Sequence, residues 1–153
     1  MLVTAEPGDP WPGEMHTNVH SVVNFSTECL RNPATPFHEN IRLIMDLCFP
    51  QRPFDEQLRR IWRTNSVLCS AQVECGSVPR AVETACITNY LSHQLSLVPH
   101  ALVAALGRKA QRRLLTHGIL AFPALHPSCR KTTAVKRASW EALADKVKSR
   151  QML

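Results

Sequence analysis

The chain has 153 residues, of which 44% are hydrophobic and 20% charged, with a formal net charge of +6. That gives room for one domain with a sizeable core, and it excludes a disordered or fibrous chain and a multidomain enzyme. The charge is uneven: residues 1–50 carry −4, residues 51–100 carry +1 and residues 101–153 carry +9.

A basic C-terminal third suits an anionic partner, nucleic acid first, and equally suits a solvated face that keeps the protein soluble. No apolar run approaches the ~18 residues of a membrane span. The opening MLVTAEPGDP has neither a basic segment nor an apolar one behind it. No membrane association is therefore expected, and the cytoplasm is the expected location. The expected state is a monomer. Cysteines stand at 29, 48, 69, 75, 86 and 129 without a CxxC pair, a pattern that fits ordinary thiols in a reducing compartment.

Residues 2–5 read as a strand that runs into a tight loop at Glu6-Pro7-Gly8. From Asp9 to Pro36 there are four prolines and little periodicity, which predicts one long loop of a kind that is usually functional or disordered. Ile41, Ile44, Met45 and Cys48 recur at helical spacing and predict a helix over 38–49, ended by Pro50 and Pro53. A short helix over 55–60 and a strand over 61–69 follow. Residues 78–97 read as a long helix with Pro79 near its first turn. Residues 101–106 form a continuous apolar run, the mark of a parallel strand buried on both faces. Gly107 leads into a basic helix over 108–116. Residues 119–125 read as the last strand, ending at His126-Pro127-Ser128, and residues 139–148 as a terminal helix.

Strands that alternate with helices imply an α/β fold. The expected architecture is a three-layer α/β/α sandwich around a central four-stranded, mainly parallel sheet, formed as a single domain over 1–153. Ligands of such sheets bind outside the carboxyl ends of the strands. The Glu6 and His126 loops each follow a strand directly, and Asn65 lies inside the second strand run near its carboxyl end, so all three are expected along one edge. There is no GxGxxG and no Walker loop, so a dinucleotide or phosphate-cradling site lacks its usual signature.

Four segments, in this order, resemble the uracil-DNA glycosylase superfamily, in particular its short thermophile-type (family-4-like) bacterial branch. Thr4-Ala5-Glu6-Pro7-Gly8 resembles the first motif loop, with threonine where the family usually has glycine. Thr35-Pro36-Phe37 resembles the segment whose aromatic ring stacks on the flipped base. Thr64-Asn65-Ser66-Val67-Leu68-Cys69 resembles the strand that carries the base-reading asparagine. His126-Pro127-Ser128 resembles the second motif.

The resemblance implies hydrolysis of the N-glycosidic bond of uracil, or a related deaminated base, in DNA. A base inside a duplex must first be extruded into a pocket. Phe37 would recover part of the lost stacking. The Asn65 amide would read the pairing edge of the base, since it offers both a donor and an acceptor. Glu6 would stabilise positive charge on the sugar and orient water, and His126 would donate to the departing base. Pro7, Gly8 and Ser128 would line the base site. Arg130, Lys131, Lys136 and Arg137 would contact phosphates, with Arg108, Lys109, Arg112 and Arg113 as a second cluster. Taken singly, these residues also read as a loop acid, a core phenylalanine, a turn asparagine and a satisfied histidine.

The chemistry requires no cofactor. Cys69 and Cys86 stand where two of the four ligands of an iron–sulfur cluster belong in some branches. The other pair precedes the first motif there, so a [4Fe–4S] cluster is expected only if upstream cysteines belong to the protein. Two other functions compete: a non-catalytic nucleic-acid-binding relative of the same fold, and a thiol or iron–sulfur protein.

Overall fold

The computed structural model describes residues 1–8, 14–69 and 76–151. In chain order its elements are β1 (Leu2–Thr4), α1 (Val19–Arg31), α2 (Pro36–Cys48), α3 (Phe54–Arg60), β2 (Arg63–Asn65), α4 (Arg80–Cys86), α5 (Ser92–Leu97), β3 (Ala104–Leu106), α6 (Arg108–Thr116), β4 (Phe122–Ala124) and α7 (Thr133–Gln151). The fold is α/β, with a four-stranded sheet in the order β2-β1-β3-β4. All three strand pairs are parallel, where the sequence predicts a mainly parallel sheet. Residues 1–9 and 61–126 form one compact unit, which holds the whole sheet, and residues 10–60 and 127–153 form a second.

In the sheet unit the register pairs Thr4 with Asn65 and Leu106 with Ala124. The carboxyl ends of the strands therefore lie along one edge. β3 is buried throughout because every residue of Ala104-Ala105-Leu106 is apolar. Met1, Val3, Ile87, Leu91, Ala105, Ala110 and Leu114 form the unit's buried cluster. α4 and α5 are joined by a π-helical turn, Ile87–Leu91. There the Ser92 hydroxyl donates to Ile87 O at 3.0 Å, which satisfies a carbonyl at the widened turn.

In the second unit, α2 begins where Thr35 Oγ1 accepts from His38 N at 3.3 Å, with Pro36 opening the helix. α2 packs with α7. α2 buries Ile41, Ile44, Met45 and Cys48, and α7 buries Trp140, Leu143 and Ala144.

Three expectations need correction. The long loop from Asp9 to Pro36 contains α1, which starts at a reciprocal cap: Asn18 Oδ1 accepts from Ser21 N and Ser21 Oγ accepts from Asn18 N. Its prolines all lie outside residues 19–31, so none interrupts the helix. The expected loop at 9–13 lies outside the described residues. The strands are shorter than the apolar runs, so Asn65 ends its strand instead of standing inside it. The terminal helix begins earlier and ends later than 139–148, because Thr132 and the residues after it already hydrogen-bond as a first turn.

Candidate functional site

The carboxyl edge of the sheet gathers side chains from three loops and one helix. After β1 and β2 the two chains stay zipped together. Ser66 N donates to Thr4 O at 2.8 Å, Val67 N donates to Ala5 O at 3.0 Å, and the Ser66 hydroxyl donates to the same Ala5 carbonyl at 2.8 Å. This fixes the backbone just before Glu6 and just after Asn65. The two side chains that close the strands also meet, with the Thr4 hydroxyl donating to Asn65 Oδ1.

Glu6 points into an ion-pair network. Its side chain is only 8% exposed, and each carboxylate oxygen has its own cation: Lys109 Nζ at 2.7 Å and Arg113 at 2.6 Å. Arg113 is 2% exposed in its side chain and also donates to Glu83 at 2.8 Å and to Ala5 O at 2.9 Å. Lys109 donates in addition to Gly76 O at 2.8 Å. Burial pushes the Glu6 carboxyl up, but the hydrogen bonds and charges of Lys109 and Arg113 outweigh burial and hold it below its ordinary range. Glu6 is thus an anion at neutral pH. Each of its oxygens keeps a second lone pair to offer.

His126 follows β4 on the same edge. Burial pushes its imidazole pKa down and the Glu6 charge pulls the other way without cancelling the effect. The ring is therefore neutral at pH 7, with one nitrogen donating and one accepting. Its seat is made by Gly107, whose φ of +93° suits glycine and whose missing Cβ would lie 2.9 Å from His126 Cβ. Gly107 N donates to Ala124 O at 2.8 Å, tying the start of α6 to the end of β4.

The remaining predicted residues of this unit are placed less tightly. Pro7 is half-buried and Gly8 is exposed, with open space where a Cβ would go. Cys69 and Cys86 approach to 4.0 Å between sulfurs, one exposed and one buried. Among the described residues no group of three or more His, Cys, Asp or Glu gathers around a metal position. The described thiols therefore do not supply the four ligands of an iron–sulfur cluster. Cys75 lies outside the described residues.

The second unit brings together another part of the predicted set. Phe37 and Ser128 line one cavity of about 400 Å³ with Pro36, Asn40, Pro127 and Lys136. Asn40 Nδ2 donates to Pro127 O at 2.8 Å and so ties Pro127 to the first turns of α2. Arg130 and Lys131 are exposed. Lys136 Nζ lies 5.9 Å from the centre of the Trp140 ring, and Arg137 pairs with Glu141 at 2.8 Å.

Sequence reasoning misread Lys109 and Arg113 as phosphate contacts. Both turn inward onto Glu6. The signal was their four-residue spacing on one helix face beside the buried Ala110 and Leu114. Glu83 and Asn40 went unnoticed because each acts through one distant partner, which a linear reading does not display.

A parallel sheet flanked by helices defines an α/β protein, and its ionised carboxylate, neutral imidazole and side-chain amide lie along the carboxyl edge, where sheets of this class bind their ligands. Residues 26–145 match the family model of the uracil DNA glycosylase superfamily, and the chain belongs to that superfamily. The match contains Phe37, Asn65 and His126 and begins beyond Glu6. No curated protein and no solved structure matches the chain. Among the described residues no helix is long and apolar enough to cross a membrane.

Proposed function

We propose that the protein is a monofunctional, monomeric DNA glycosylase of the thermophile-type branch. It hydrolyses the N-glycosidic bond of uracil, or of a related deaminated base, in DNA, as one catalytic domain working in the cytoplasm without a cofactor. The observation that carries this reading is the pairing of an ionised Glu6 with a neutral His126 on the edge that also bears Asn65.

In the reaction the bond between the sugar C1′ and the base nitrogen breaks, with its electrons leaving on the base. Water then supplies hydroxide to C1′ and a proton to the medium or the base. The Glu6 carboxylate stabilises the cationic sugar and holds the water with its second lone pairs. The His126 N–H donates to the oxygen on which the leaving base gathers negative charge, and a neutral donor does this without placing a full charge beside Glu6. Asn65 reads the base, Phe37 stacks on it, and Pro7, Gly8 and Ser128 line its site. Arg130, Lys131, Lys136 and Arg137 hold the neighbouring phosphates.

Incubation with single- and double-stranded uracil-containing DNA, followed by alkaline cleavage of abasic sites, tests this. Strand scission is expected from the wild type, with a loss of roughly 10²–10³-fold in Glu6→Gln and in His126→Ala, the range for removing one preorganised electrostatic group. No scission at stoichiometric amounts of folded protein overturns the reading.

One observation favours a second reading, a non-catalytic DNA-binding relative: both Glu6 oxygens are already engaged by cations. It predicts salt-sensitive binding of the same DNA with no base released.

A further inference from the structure

The Thr4–Asn65 contact joins the last residues of two neighbouring parallel strands, which face each other in register. Partners in register put their side chains on the same face of a sheet. The Thr4 hydroxyl carries a single hydrogen and donates it to Asn65 Oδ1. The alternative acceptor, Thr64 O, lies 3.3 Å from the same hydroxyl, so the amide oxygen is the closer partner. Both side chains are half-buried, and the backbone on either side is held by the bonds from Ser66 and Val67.

A primary amide presents nearly the same shape when turned over, so an unrestrained asparagine offers either its oxygen or its NH2 group to a ligand. A donor fixed on the oxygen removes that freedom. We propose that Thr4 is a positioning residue that turns the Asn65 oxygen toward β1 and leaves the NH2 group as the end presented to a base. The inference rests on the glycosylase reading and sharpens it. An N–H facing the ligand donates to a carbonyl oxygen, as uracil has at C4. It repels the amino group that cytosine carries at the same place, because two donors then meet. The hydroxyl of Thr4 thus sets the choice between an oxo base and its amino parent, although it does not itself touch the base.

Two substitutions separate the hydroxyl from the bulk of the side chain. Thr4→Val keeps the shape and the strand preference and deletes the donor, and Thr4→Ser restores the donor. The test has two readouts, neither of which needs turnover. The first is the NMR signal pair of the Asn65 side-chain NH2. The wild type and Thr4→Ser should show two distinct, slowly interchanging protons, and Thr4→Val a faster interchange. The second is titration with free uracil and free cytosine, followed by backbone amide shifts along residues 4–8 and 64–67. The wild type and Thr4→Ser should prefer uracil, and Thr4→Val should lose roughly fivefold to tenfold of that preference, the size of one neutral hydrogen bond.

An unchanged NH2 signal in Thr4→Val overturns the bond itself. A loosened amide with the uracil preference intact overturns the specificity role. A wild type that binds neither base and releases none from DNA overturns the glycosylase reading, and the NH2 signal then still decides whether Thr4 orients Asn65.

Discussion

Arg113 holds the carboxyl edge together more than any residue predicted to be catalytic. Its guanidinium bridges Glu6 and Glu83 with its side chain 2% exposed. Truncation leaves two carboxylates short of a cation in a place water does not reach. Arg113→Ala should therefore lose about 3–5 kcal/mol, the range for breaking a buried pair from one side. Urea unfolding at pH 7 measures it, and a loss under 1 kcal/mol would contradict the burial of the pair. Lys109 is partly exposed, so Lys109→Ala should cost clearly less. The same network has a pH signature. Because the folded Glu6 pKa is lowered, its contribution is present above the unfolded carboxylate value of about 4.3 and is lost as pH falls through the folded value. His126 acts in the same sense from a higher window. Its folded pKa is also lowered, so between that value and about 6.5 the unfolded chain binds more protons and stability rises with pH. Glu6→Gln deletes the charge that partly lifts the imidazole, and the His126 midpoint, followed by NMR titration, should move further down. A midpoint that rises instead would mean that Glu6 does not face the ring.

At the level of elements, α6 does two tasks on adjacent faces. Ala110 and Leu114 join the core under the sheet unit, while Lys109 and Arg113 reach Glu6. Its first turn is set by Gly107, where the positive φ and the close approach of His126 both demand a residue without a Cβ. Gly107→Ala should cost about 1–3 kcal/mol from the backbone conformation alone. It should also push His126 out of its seat, so that the imidazole titrates nearer its ordinary value as burial is relieved. Unchanged titration in a folded Gly107→Ala protein would show that the histidine is held by something else. Much of this element was legible in sequence. A strand, a glycine and a basic helix read correctly over residues 104–116, although the strand starts later than its apolar run, because each uses a local signal: hydrophobic continuity, chain reversal, helical period. α1 was missed because prolines on either side of residues 19–31 were weighed above the Asn18–Ser21 cap that starts it. The inward turn of Lys109 and Arg113 was illegible for a different reason. Their partner Glu6 lies more than a hundred residues away, and periodicity says which face a side chain occupies without saying what it meets there.

For the whole molecule, net charge misleads unless the internally committed cations are removed from the count. The C-terminal third carries most of the positive charge, yet Lys109 and Arg113 are turned onto Glu6 and Glu83, and Arg137 onto Glu141. Charge composition marks a chain as suited to an anionic partner, and the ion pairs then say which cations are available to one. Arg130 and Lys131, exposed just beyond the His126-Pro127-Ser128 loop, are the leading candidates for phosphate contact under the proposed function. Each phosphate neutralised steepens the fall of log K with log salt by about 0.9 on duplex DNA and about 0.7 on a single strand. Replacing both Arg130 and Lys131 by alanine should therefore flatten the slope by about 1.8 on a duplex and weaken binding at every sequence alike. Lys109→Ala removes the same kind of charge from a place already filled by Glu6. It should leave the salt slope unchanged while lowering the urea midpoint. Fluorescence anisotropy of labelled DNA from 50 to 200 mM salt, on the order of the range in which such slopes are read, distinguishes the two. An equal flattening by Lys109→Ala would place that lysine at the DNA and undo its assignment to the Glu6 network.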